Sequence, residues 1–120
     1  MMDFRKIKVW EKSHKFVLEI YRITLLFPKE EMLGITNQIR RASVSIPTNI
    51  SEGCGRNSEN ELNRFLVISQ GSTSEVEYLL LLSFDLNYIS KSVFEDLNKK
   101  ILEIKKMLSA YSVKIRQSIV

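Results

Sequence analysis

SVFEDLNKKILEIKKMLSAYSVKI, residues 92–115, places apolar side chains at Phe94, Leu97, Ile101, Ile104, Leu108, Tyr111 and Ile115. The steps alternate three and four residues without a fault, a heptad seam that buries itself only against other helices. Ser92 followed by Glu95 has the spacing of a capping box, so the helix is predicted over about 92–117. Glu95–Lys99 and Asp96–Lys100 stand at i,i+4 ion-pair positions on its flank.

Upstream, the same period recurs three times, and no stretch alternates strictly between apolar and polar as a half-buried strand would. Ser58 and Glu61 form a second capping box and open a helix over about 58–89. Its stripe is Leu62, Phe65/Leu66, Ser69, Thr73, Val76, Leu80, Ser83/Phe84 and Asn87. In its second half Tyr78, Leu79, Leu81, Leu82 and Leu86 cover the remaining faces, and a helix that is apolar all round needs cover on more than one side. These five residues are the predicted oligomer interface. A helix over about 34–56 carries Ile35, Ile39, Ala42, Ile46, Ile50 and Gly53, with Pro47 inside it, where a missing N–H predicts a kink. The first helix, about 9–27, has Trp10, Ser13/His14, Val17, Tyr21 and Thr24 as its seam, widened by Phe16, Ile20 and Ile23. It stops before Pro28. Four long helices joined by short turns predict an all-α, antiparallel up-down-up-down four-helix bundle filling a single domain, 1–120.

Composition narrows the functional classes. The chain has 120 residues, 44% hydrophobic and 27% charged, too apolar for intrinsic disorder. Its longest apolar run, Leu79–Leu82, is far short of the ~20 residues of a bilayer span, and no apolar segment follows the first charges, so neither membrane nor secretion is expected. One cysteine cannot form an internal disulfide, which fits a cytoplasmic protein.

The net charge of +4 is modest, but the expected topology polarises it. The start of helix one, end of two, start of three and end of four would share a pole. Eleven basic residues, including Arg5, Lys6, Lys8, Lys12, Lys15, Lys105, Lys106, Lys114 and Arg116, face six acidic ones there; the other pole has seven basic and eight acidic. Such a pole attracts phosphate backbones, although a lysine-rich surface also serves plain solubility. Beside the apolar stripe of helix two runs a polar one, Gln38, Arg41, Ser45, Asn49, Glu52 and Arg56, with Glu75 on helix three as a candidate partner. A hydrogen-bonded network that fixes packing is preferred to a ligand site, because buried charges persist only when paired.

The sequence resembles the bacterial 23S rRNA intervening-sequence protein family of four-helix bundles. The resemblance runs through Val9-Trp10, Tyr21, Pro28, Gly34, Gln38-Ile39-Arg40-Arg41-Ala42, Ser45-Ile46, Asn49-Ile50, Glu52-Gly53, Arg56, Phe65-Leu66 and Gly71-Ser72 with Glu75. Ser43 and Ser51 stand where alanine is common. The resemblance implies a ring-like homo-oligomer, typically a pentamer. It also points to a similar branch, the accessory variability protein of diversity-generating retroelements, which binds nucleic acid through a basic surface.

Catalytic constellations are mostly absent from the sequence. His14 is the sole histidine, too few for the paired Glu-x-x-His motifs of di-iron bundles, and it is expected to pack beside Trp10 and Val17. Gly53-Cys54-Gly55 lacks the context of a phosphate loop, and little near Cys54 would activate its thiol. The expectation is therefore a non-enzymatic homo-oligomer without cofactor or metal. It would bind the RNA or DNA backbone through the nine basic residues named above, as an adaptor for a nucleic-acid-processing protein. The alternative is a protein-interaction or self-assembly scaffold with no nucleic-acid role.

Overall fold

The computed structural model describes residues 2–119. Four helices dominate it: α1 (Lys8–Thr24), α2 (Ile35–Cys54), α3 (Glu59–Asp85) and α4 (Lys91–Ser118), with single 3-10 turns at Phe4–Lys6 and Lys29–Glu31. No strand occurs among the described residues. The body measures 48 × 23 × 20 Å, long and thin as a bundle of long helices must be.

Direction follows from who meets whom. Ser45 meets Ser72 while Ile46 meets Ser69, and Asn63 meets Ser112 while Glu77 meets Lys105. Glu103 meets Lys12 and Lys100 meets Glu19. In each pair one number rises as the other falls, so neighbouring helices run in opposite directions. α1 contacts α2 and α4 but not α3, which makes α1 and α3 diagonal.

The seam read from 92–115 is the core side of α4. Leu97, Ile101, Ile104, Leu108 and Ile115 are buried against Ile20, Ile39, Ile46, Ile50, Leu66 and Leu80. In α1 the buried side is Val9, Ser13, Phe16, Val17, Ile20 and Thr24, so the seam is rotated from the expected one. Tyr21 is exposed because it sits at the flank toward α2, where the Arg40 guanidinium lies 4.7 Å from its ring centre.

Helix ends follow local chemistry, and several differ from expectation. Ser58 caps α3, its Oγ accepting from the Glu61 N–H at 3.2 Å. At α4 the cap is Ser90, which accepts from the Val93 N–H at 3.2 Å, and not Ser92. Glu95 is therefore two residues too far along to close a capping box. α3 stops at Asp85 because Asn87 turns left-handed at φ 64°. The N–H groups of Asn87 and Tyr88 then bond back to Phe84 and Ser83, a Schellman closure with asparagine in glycine's usual place. α1 ends at Thr24, and Phe27 folds back into the core ahead of Pro28. α2 is continuous through Pro47.

Candidate nucleic-acid interface

Four chain segments converge at one end of the bundle. The Met2 N–H donates to the Cys54 carbonyl at 3.2 Å, the Tyr111 hydroxyl lies 3.8 Å from Met2 Sδ, and Ser118 reaches Glu59. Arg5, Lys6, Lys8, Lys114 and Arg116 all belong to this end and all are exposed. Among the described residues Lys6, Lys8, Lys114 and Arg116 form no ion pair, whereas Arg5 is held by Asp3 at 3.3 Å.

The other cations named by the sequence stand differently. Lys12 pairs with Glu103 at 2.7 Å and Lys15 with Glu11 at 3.0 Å. The Lys12 hydrogen bond holds the Glu103 carboxyl below the usual carboxylate range. Lys105 pairs with Glu77 at 3.0 Å. Lys105 and Lys106 occupy the middle of α4 beside the middle of α3, along a shallow trough with Val67, Gly71, Leu102 and Ala110. The nine cations therefore divide between one end of the bundle and its waist, a separation along the helix axis that a count by halves conceals.

The polar stripe of α2 lies along its seam with α3. Ser45 and Ser72 share a hydrogen bond of 2.8 Å, and the Asn49 amide donates to the Ser45 carbonyl and hydroxyl at 2.8 and 3.0 Å. Arg56 pairs with Glu52 at 2.8 Å and lies 5.0 Å from the Phe65 ring centre. Gln38, Arg41 and Glu75 do not join this chain of bonds. They line an open groove of about 460 Å³ with Leu33, Asn37 and Ser45, and among the described residues Arg41 and Glu75 form no ion pair.

Of the expected interface residues, Tyr78, Leu81 and Leu86 are exposed, Leu82 is half-buried against the core, and Leu79 is only 2% exposed. Leu79 belongs to the core of its own chain, since α3 is flanked by both α2 and α4 and has buried surface on two sides. The sequence reading passed over Leu25, Leu26 and Leu33, which are 76, 85 and 92% exposed around the α1–α2 connection. Their signal was present, since apolar residues after the helix end and off its seam have no inward direction to take. Arg40, quoted only within the motif of the resemblance, was given no role of its own. Its Nε donates to Thr24 Oγ1 at 2.8 Å while its plane covers Tyr21.

His14 is exposed and stacks on Trp10, ring centres 5.1 Å apart. Burial pushes the Cys54 thiol above its ordinary range and nearby Asp3 adds to the rise, the reverse of what a nucleophile needs. Among the described residues no cluster of three His, Cys, Asp or Glu could hold a metal ion, and no helix is long and apolar enough to cross a membrane.

Residues 5–110 match the family model described as 23S rRNA-intervening sequence protein. A search of curated proteins returns no match. Among solved structures the chain is similar to a protein of unknown function from the S23 ribosomal protein family of Bacteroides thetaiotaomicron. The two share 28% identity at a TM-score of 0.80, over 87% of this chain and 97% of that one.

Proposed function

The chain belongs to the 23S rRNA-intervening sequence protein family, and on that premise we propose that it is a non-enzymatic bundle that associates with copies of itself and holds RNA or DNA by the phosphate backbone. The observation that carries this reading is the exposed group Lys6, Lys8, Lys114 and Arg116, without ion pairs among the described residues, gathered at one end. Cations already neutralised by carboxylates gain little from a phosphate; free ones release its counterions and bind. Lys12, Lys15 and Lys105 are of the first kind and contribute less. An adaptor role toward a nucleic-acid-processing protein is compatible with this surface, because phosphate contacts hold a strand in place without reading its sequence.

Filter binding of a labelled RNA and of the matching DNA, each titrated at several salt concentrations, tests the reading. Affinity should fall steeply with salt, with a log–log slope of about −3 to −4 on duplex DNA if four cations meet phosphates. Reversing Lys6, Lys8, Lys114 and Arg116 to glutamate should abolish binding while helicity is unchanged. Absence of binding at low salt, or indifference to salt, leaves the protein-interaction and self-assembly scaffold as the reading. The exposed leucines at the α1–α2 connection favour that alternative.

A further inference from the structure

Gly71 sits midway along α3 on its outward side, where an added Cβ would meet nothing within 4 Å. A glycine inside a helix weakens it relative to alanine, and no packing within this chain requires one here. What a bare backbone permits is the close approach of another body from outside.

The residues around it form a second seam. Val67, Gly71, Ser74, Tyr78 and Leu81 follow one another at steps of four and three, all exposed, on a helix whose inner seam is already filled. Large side chains at the ends and small ones in the middle make a saddle of the kind a helix lies across. Beside it Glu75 and Asp85 have no cation partner among the described residues.

Diagonally across the bundle, α1 presents a different outward seam. Leu18, and Leu25 at the helix's C-cap, are 54 and 76% exposed, with Arg22 between them and without a carboxylate partner among the described residues. One outward face is apolar with the free carboxylates Glu75 and Asp85, bordered by Lys105 and Lys106 on its α4 side and by Arg41 on its α2 side; the other is apolar with a free guanidinium, and the two point away from each other. Within a single copy the two cannot meet.

We propose that the outward side of α3, centred on Gly71, receives the outward side of α1 from a second copy, with Arg22 of one copy set against Glu75 or Asp85 of the next. The inference rests on the self-association reading above and adds which two surfaces join. Because they are different surfaces, the contact is heterologous and repeats from copy to copy.

Two variants decide the matter, each measured by light scattering after gel filtration. The α3 variant combines Gly71→Leu with Tyr78→Glu; the α1 variant combines Leu18→Glu with Leu25→Glu. All four positions are exposed, so the far-UV circular dichroism should match the wild type. Each variant alone should run as a 14.0 kDa monomer, and an equimolar mixture should form a dimer of one copy of each, since each retains the face the other has lost. A wild-type monomer would remove the self-association reading altogether. A wild-type assembly with either variant still assembling alone, or with a mixture that stays monomeric, would overturn only this pairing of faces. If either double variant loses helicity, Gly71→Leu alone serves, and an undiminished assembly then overturns the proposal.

Discussion

Gly53 and Gly71 are the same residue type with opposite consequences. A Cβ on Gly53 would stand 3.0 Å from Leu62 Cδ1 and from Phe65 Cβ, and 3.3 Å from the Leu62 carbonyl. Leu62 Cδ1 can swing aside, but the other two atoms are fixed to the α3 backbone. Gly53→Ala should therefore lower stability by about 1 kcal/mol, overpacking outweighing the gain in helix propensity. Gly71→Ala should raise the stability of the monomer by about 0.5–1 kcal/mol. Urea denaturation of both variants checks the contrast. Ser43 offers a third case: its hydroxyl is buried without a hydrogen-bond partner, and Ser43→Ala should gain about 1 kcal/mol by the same measurement. Tyr88 adds a pH dependence. Its hydroxyl donates to Glu31 Oε2 at 2.7 Å, and this bond, then burial and the nearby carboxylates, hold its proton above the ordinary tyrosine range. The stabilisation is complete below that ordinary range and is lost as pH rises through the raised value. Thermal melts at increasing alkaline pH should show a loss that Tyr88→Phe reduces.

Helices are legible where their signals are local. The heptad of residues 94–115 and the Ser58 cap needed only nearest neighbours in the chain, and both stand in the structure. Boundaries were less legible where a tertiary contact competes with a local signal. Ile89 is buried, and the turn at Asn87 that buries it delivers the chain to α4 two residues ahead of the Ser92 signal. Ser90→Ala should consequently cost about 1 kcal/mol in stability, whereas Ser92→Ala should cost a few tenths at most. Equal losses for the two would contradict the assignment of the cap. The seam of α1 shows the same competition: Tyr21 satisfies the helical period as well as Ile20 does, and docking against α2 and α4 turns Ile20 inward and leaves Tyr21 outward under Arg40.

At the scale of the whole molecule, charge has to be read in three dimensions. Reversal of Lys6 with Lys8 should reduce nucleic-acid affinity at least tenfold, while reversal of Lys105 with Lys106 at the waist should reduce it much less; filter binding compares the two pairs directly. The candidate surfaces were partly legible. Residue types marked the basic residues, the polar stripe and the excess of apolar side chains, but sequence could not say which lysines already had carboxylates, nor that Leu79 faces inward while Leu33 faces out. By itself the sequence determined the helices, their number and the all-α class, because hydrophobic period and side-chain capping act over a few residues. The tertiary structure alone decided which cations remain free, which glycine is packed and which is bare, and that the outward faces of α1 and α3 lie on opposite sides. Those properties depend on what stands within a few ångströms across the bundle, and residues far apart in the chain settle that only when the helices dock.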